Sequence, residues 1–382
     1  MRIGKEFYAA ARESGRPVSA LLLEALALRF STGKIGISEY FDFRLHLRDL
    51  SFREKTAFGG WRAQAVLEDI LVDDYGRFLG IDKVTMYSLL RGHGLPIPRM
   101  KAVFRSKRPR SVLNLSSPKA LAGYLRSPST LPIYMKPSFG AFGRKNIFIA
   151  GLKKGELRFG DGSATAVDSF CQSLDDGRSL GWILQEPLKP HADIAALCGE
   201  KISGIRVHSF LSRRGPEITH AVFKINTGRE DCDNFRHGAT NNMAAAVDVP
   251  TGKVTRVVAG TGLRQVVNPP HPVTGREMVG FQLPYWSELK EVVRDAQLVF
   301  PGYLCPGWDV AICDDGPKIL EVNFLGDLDL PQFASRKGFM DERLIGMMRD
   351  HGVDRLLKGG AGVTKRTDRN NRLGRRKHHW NW

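Results

Sequence analysis

The chain has 382 residues, 42% of them hydrophobic, which is enough for one large domain or two with a real core. Its net charge of +17 points to an anionic partner: a nucleotide, a nucleic acid, a lipid surface or an acidic glycan. The five cysteines (Cys171, Cys198, Cys232, Cys305, Cys313) form no CxxC pair, which argues against a disulfide framework or structural zinc and fits a reduced, cytoplasmic protein.

Residues 1 to about 90 read as helical. Apolar positions recur at helical spacing in Ala20–Phe30, Trp61–Leu71 and Lys83–Leu90, with Asp82 as the cap of the last. The apolar run from Val18 to Leu28 is broken by Ser19 and Glu24 and is too short to cross a bilayer. No small-residue cleavage site follows it, so it reads as a buried helix and not as a targeting segment. Arg99–Phe104 reads as a strand, residues 101–110 are basic, and Ser116-Ser117-Pro118 opens a short helix. From about 131 the texture changes to strands: Leu131–Lys136, Asn146–Ala150, Leu157–Phe159, Trp182–Gln185, Arg206–Leu211, Ile218–Ile225, Ala244–Val249 and Val254–Val258. Trp286–Phe300 is an amphipathic helix with Trp286, Leu289, Val293, Ala296 and Val299 on one face. Met340–Leu357 is a second helix. A Gly-rich linker at 359–362 leads into a tail, Lys365 to Trp382, with seven Lys/Arg against one Asp, read as solvated and dispensable for chemistry.

The most informative stretch is Gly307 to Asn323. It reads as two strands joined by a tight turn at Asp314-Asp315-Gly316. With the turn centred on Asp315, Asp309 falls opposite Glu321. Directly opposed residues share a face with Cβ atoms about 4.5–5.5 Å apart. One face then carries Asp309, Glu321 and Asn323, and the other carries Trp308, Val310, Ile312, Leu320 and Val322 as a core face. This face is either the polar solvent face of an edge hairpin or a metal site: two carboxylates so close repel unless a cation sits between them, and an all-oxygen set of two carboxylates and an amide suits Mg²⁺ before Ca²⁺.

Three weaker signals precede the hairpin. Lys136-Pro137-Ser138-Phe139-Gly140-Ala141-Phe142-Gly143 leaves a strand as a Gly-containing loop, which brings backbone N–H groups to phosphate oxygens or makes an ordinary hairpin loop. Ile183 to Leu188 is an apolar strand that ends at Glu186-Pro187, either a hinge offering backbone groups to an adenine edge or a plain strand end. Arg206 sits between apolar neighbours on an alternating strand, the setting of a groove or a salt bridge. The segment from Asp231 to Asn242 is a long polar loop containing Asp233, Asn234, Arg236 and His237.

Taken in this order, the chain resembles the ATP-grasp superfamily. More closely it resembles the sugar-transfer-associated ATP-grasp proteins, related to α-L-glutamate ligases. The matching segments are Leu79 to Lys83, Gly94 to Pro98, Tyr134 to Pro137, Gln185 to Pro187, Asp233-Asn234, Gly307 to Ala311, Gly316-Pro317 and Glu321 to Asn323. The resemblance implies an α+β, ATP-grasp fold in which two α/β subdomains clasp ATP behind an N-terminal helical segment. The division expected is a helical segment over 1–90, a first subdomain with the Gly-rich loop over 91–180, and a second with hinge and metal site over 181–335. A helix and linker follow over 336–362 and a basic tail over 363–382.

The resemblance further implies ATP and Mg²⁺, as two ions, as cofactors. Lys83 and Lys136 would meet the phosphates, with Ser138, Gly140 and Gly143 in the covering loop. Gln185, Glu186 and Leu188 would line the adenine hinge. Asp309, Glu321 and Asn323 would hold Mg²⁺, and Arg206 and Lys136 would stabilise the transferred phosphate or an acyl-phosphate. The implied activity is ADP-forming ligation of a carboxylate to an amine of an amino acid or amino sugar, in cell-surface polysaccharide or glycan metabolism. The protein would be cytoplasmic, or peripheral at the inner membrane surface through its basic tail. The competing readings are a phosphotransferase on the same fold, a non-catalytic nucleotide sensor and a basic nucleic-acid-binding protein.

Overall fold

The structure, a computed structural model, describes residues 2–105, 112–127, 129–139, 146–174, 181–228, 232–354 and 357. Seven helices come first: α1 (Arg2–Ser14), α2 (Val18–Phe30), α3 (Ile37–Asp42), α4 (Phe52–Thr56), α5 (Trp61–Leu71), α6 (Asp74–Ile81) and α7 (Lys83–Gly92). Asp82 caps α7 as its sequence position suggests, accepting from Val84 N–H at 3.1 Å and Thr85 Oγ1 at 2.7 Å.

The first sheet contains β1 (Met100–Phe104), β2 (Asn114–Leu115), β3 (Ile133–Pro137), β4 (Ile147–Lys153), β5 (Glu156–Phe159), β6 (Ala164–Ala166) and β7 (Trp182–Gln185), in the order β2-β1-β7-β3-β4-β5-β6. Helices α8 (Pro118–Leu125) and α9 (Val167–Ser173) cover one of its faces, packing Leu121, Leu125, Phe170 and Cys171 against Ile133, Met135 and Leu184. Ser117 caps α8 immediately before Pro118, so the Ser-Pro signal opens the helix as expected. β7 pairs with β1 and β3, so the change of sheet falls after Gln185 rather than at 180.

Helix α10 (Ala192–Cys198) leads into the second sheet: β8 (Ile205–Ser212), β9 (Gly215–Ile225), β10 (Met243–Val247), β11 (Val254–Ala259), β12 (Val266–Val267), β13 (Gly307–Cys313) and β14 (Gly316–Asn323). Its order is β12-β11-β10-β9-β8-β13-β14, every pair antiparallel. Helix α11 (Trp286–Val299) buries Leu289, Val293 and Ala296 in one cluster with Val207, Phe223, Ala245, Trp308 and Val310. The opposite face, through Val222, Ala244, Ala246 and Val258, packs on α1–α3 and on α12 (Asp329–Ser335). The last helix, α13, spans Glu342–Asp350, shorter than the expected Met340–Leu357. Asp341 caps its start, accepting from Leu344 N–H at 2.8 Å, and Gly352 at φ +69° follows its end.

The expected buried helix at Val18–Leu28 is buried on one side only. Leu21, Ala25 and Leu28 enter the core, whereas Leu22, Leu23 and Leu26 face solvent. Among the described residues no helix is long and apolar enough to cross a membrane. The segment 140–145 and the tail from 358 lie outside the described residues.

Candidate functional site

The second sheet builds the site by alternation. Arg206 stands between Ile205 and Val207, whose side chains go to the α11 side, so Arg206 goes to the other. Register does the rest. Arg206 pairs with Val222 on β9 and Asp309 on β13, and Asp309 pairs with Glu321 on β14. Lys224, two residues beyond Val222, shares that face. Four adjacent strands therefore place Lys224, Arg206, Asp309 and Glu321 in one row.

The hairpin reaches the expected Asp309–Glu321 pairing by a different path. Its turn has two residues, Asp314 and Asp315, between paired Cys313 and Gly316, with Gly316 at φ +104°. That turn alone would shift every pair by one. A bulge at Leu320 restores the register, because Val310 pairs with Ile319 and Asp309 with Glu321. Consequently Ile319 is fully buried and Leu320 is not, which corrects the expected core face. The Leu320 carbonyl accepts from Tyr87 Oη at 2.6 Å and Lys136 Nζ at 3.3 Å, which ties the edge strand β14 to α7 and to the first sheet.

Asp309 is enclosed by donors. Arg206 Nε lies 2.8 Å from Oδ1 and Nη2 3.0 Å from Oδ2, Lys224 Nζ is 3.0 Å from Oδ1, and Asn323 Nδ2 donates to Oδ2 at 3.2 Å. A carboxylate has about four lone-pair directions, and all are used. Burial alone would raise this carboxyl's pKa, but Arg206 and Lys224 hold it well below the usual carboxylate range. Burial lowers the Arg206 pKa and Asp309 more than reverses it. Burial lowers the Lys224 pKa too, and Asp233 at 3.0 Å, followed by Asp309, more than reverses it. Asp233 also accepts from Gly204 N–H at 2.7 Å, so the polar loop fixes the start of β8. The third Arg206 nitrogen, Nη1, donates to Gly326 O at 2.5 Å and lies 3.8 Å from Asp327.

The remaining two cations come from outside the second sheet. Lys83, the first residue of α7, places Nζ 3.1 Å from Glu321 Oε1. Lys136 on β3 is buried, and its Nζ contacts Tyr87 Oη at 2.5 Å as well as the Leu320 carbonyl, both neutral acceptors. Burial pushes its pKa down to about 8, against the pull of Glu321 and Asp309. Nearby, Ser138 Oγ and Gln185 Nε2 are buried without a hydrogen-bond partner among the described residues. Gly140 and Gly143 lie outside the described residues.

Glu186 and Leu188 stand at the other end of the hairpin. With Ile97, Arg99, Asp315 and Lys318 they line a cleft of about 330 Å³ against the β13–β14 turn. Glu186 is exposed, and its N–H donates to Arg99 O at 2.9 Å. Cys313, beside this cleft, is four residues along the strand from Asp309, roughly 13 Å away.

Asp309, Glu321, Asn323, Arg206, Lys83 and Lys136 are thus brought together, and Glu186 and Leu188 are set apart from them. Sequence reasoning missed Lys224 and Tyr87. Lys224 carried the signal that singled out Arg206, a cation between apolar residues on a strand. Tyr87 lies one helical turn after Lys83, on the same face of α7.

A hard cation suits this donor set. Glu321 is partly exposed and has an oxygen beyond the one on Lys83, and Asn323 donates through Nδ2, which leaves its carbonyl oxygen as an acceptor. Asp309 can join them only if one of its donors lets go. Among the described residues no group of three or more His, Cys, Asp or Glu is placed to hold a metal ion by itself.

A family model described as sugar-transfer associated ATP-grasp matches residues 77–345. Similar solved structures include the N5-carboxyaminoimidazole synthase of Aspergillus clavatus with ADP and 5-aminoimidazole ribonucleotide (11% identity, 70% of this chain and 51% of that one, TM-score 0.38). The D-Ala:D-Ser ligase of Enterococcus faecalis (13%, 77% and 64%, 0.40) and the D-alanine–D-alanine ligase of Bacillus anthracis (14%, 86% and 80%, 0.37) are also similar. The chain spans about half the length of the first of these. No curated protein matches the sequence significantly.

Proposed function

The chain belongs to the sugar-transfer associated ATP-grasp family, and on that premise we propose that it is an ATP- and Mg²⁺-dependent ligase joining a carboxylate to an amine. The observation that carries this reading is Lys136. A buried ammonium whose contacts are neutral, facing a row of fixed charges across two sheets, is a site made for an anion. The spacing agrees: the Glu186–Leu188 cleft takes the base, and a triphosphate extends along the hairpin toward Lys136, Lys83 and Glu321.

In the reaction, a carboxylate oxygen of the first substrate attacks the γ-phosphorus. The bond from that phosphorus to the β–γ bridging oxygen breaks, and ADP leaves. The amine of the second substrate then attacks the carbonyl carbon of the acyl-phosphate, inorganic phosphate departs, and the amine loses a proton. Lys136 and Lys83 hold phosphate oxygens, and Lys83 reaches them by turning from Glu321. Ser138 covers the phosphates, a role that the sequence resemblance alone extends to Gly140 and Gly143, and Gln185 borders the base. Glu321 and Asn323, joined by Asp309 once one of its donors lets go, would hold two Mg²⁺, whose charge would neutralise that of the phosphates. Arg206 and Lys224 act through Asp309, fixing where its carboxylate points. Substrates drawn from cell-surface glycans, an amino sugar or amino acid as amine donor among them, follow from the family description alone.

The test is ATP turnover against a panel of amino acids and amino sugars with carboxylate partners, read by mass spectrometry. ADP, phosphate and an amide-linked product are expected. A phosphorylated acceptor with no ligated product would replace the ligase reading with a phosphotransferase on the same fold.

A further inference from the structure

Helix α2 has two apolar faces. Leu21, Ala25 and Leu28 face the core, while Ser19, Leu22, Leu23, Leu26, Ala27 and Phe30 form an outward stripe at the spacing of one helix face. Leu23 is 68% exposed and Phe30 82%. That stripe bears no charged side chain. A helix apolar all round is normally covered on every side, and nothing in this chain's described residues covers this one.

The charges around it are sorted by sign. Glu24 turns inward to Arg16, Lys55 and Tyr40. Glu13 is taken by Arg44 and His46. On α1, Lys5, Tyr8 and Arg12 are exposed at helical spacing. The inner faces of both helices, through Phe7, Ala10, Leu21 and Leu28, enter the same core cluster, so both outer faces point away from it. The outer surface of the pair is therefore apolar along α2 and basic-aromatic along α1. It also precedes residues 77–345, the part matching the family.

We propose that this surface seats the protein on an anionic lipid bilayer, the α2 stripe entering the headgroup–acyl boundary and Lys5 and Arg12 meeting the headgroups. Charge decides the occupant. A second copy, itself at net +17 and presenting the same Lys5 and Arg12, would bring like charge to this face, whereas an anionic surface supplies the opposite sign.

The full chain is tested by flotation with phosphatidylcholine vesicles with and without phosphatidylglycerol, at low and high salt. Wild type is expected to float with the anionic vesicles only, and less at high salt. Combining Leu23→Ser, Leu26→Ser and Phe30→Ser should weaken this about tenfold or more, while ATP affinity stays unchanged. Lys5→Glu with Arg12→Glu, which leaves the stripe whole, should weaken it as well. Flotation equal in all three proteins, or no flotation of wild type at low salt, overturns the proposal. So does a lipid-free dimer that the serine variant converts to monomer, because the stripe is then covered by a second copy.

Discussion

The Arg206 guanidinium meets the Asp309 carboxylate fork to fork across the β8–β13 pair, Nε to Oδ1 at 2.8 Å and Nη2 to Oδ2 at 3.0 Å. Each is buried, so neither charge is tolerable without the other. Asp309→Asn leaves Arg206 and Lys224 short of a counter-charge and should cost about 3–5 kcal/mol of stability in urea unfolding. The acid side shows the same pair. Because the folded carboxyl is held low, its stabilisation is complete above about pH 4, the unfolded value, and drains away as pH falls toward the folded value. The variant should lack that part of the acid slope. An unchanged acid profile would contradict this electrostatic account of Asp309.

Lys136 predicts an alkaline effect of the opposite kind. Its folded pKa, lowered to about 8, lies below that of the unfolded chain. Between pH 8 and the unfolded value near 10.5 the unfolded state binds more protons, so Lys136 makes stability rise with pH there. Nucleotide affinity should move the other way, falling by up to about tenfold per unit above pH 8 as the ammonium is lost. Lys136→Arg, which stays charged, should flatten the profile. Calorimetric titration of ATP from pH 7 to 9.5 reads both, and a flat wild-type profile rules the assignment out.

Glu321 is the carboxylate that is not locked. Its contact is Lys83, on another element, and it is partly exposed. Glu321→Gln should leave the urea midpoint nearly unchanged and abolish ATP turnover. Turnover at the wild-type level in that variant would remove Glu321 from the chemistry.

Gly326 sets the height of the floor beneath Arg206. Its φ is +74°, and a Cβ there would lie 2.6 Å from Gly307 Cα and 3.0 Å from His208 Nε2. Its carbonyl accepts from Arg206 Nη1. Gly326→Ala should therefore cost about 2 kcal/mol or more. It should also displace Arg206, which lowers turnover more than a surface change of equal destabilisation.

The hairpin was legible because alternation separates polar from apolar residues over Gly307 to Asn323, and with a turn centred on Asp315 it put Asp309 opposite Glu321. The bulge at Leu320 was not, since one extra residue leaves no mark on composition. It exchanged Ile319 for Leu320 in the core and turned a carbonyl toward Lys136. Tyr87 was hidden for a similar reason. A tyrosine in an apolar helix face reads as core, and only the approach of β3 and β14 to α7 reveals its hydroxyl as the partner of Lys136. The order of the second sheet, which brings Lys224 beside Arg206, depends on pairing between distant strands. The outward face of α2 was misread because an apolar run announces burial without saying on how many sides.

The central claim is that ATP phosphate binds at the buried Lys136, beside Tyr87 and the edge strand β14. It is tested most directly by calorimetric titration of ATP into wild type and Lys136→Ala, with urea unfolding of both as the control. The expected result is ATP binding weakened by about 2–5 kcal/mol, thirtyfold or more, in a variant at least as stable as wild type, since a desolvated charge has been removed. Equal affinity in the two proteins would contradict the account.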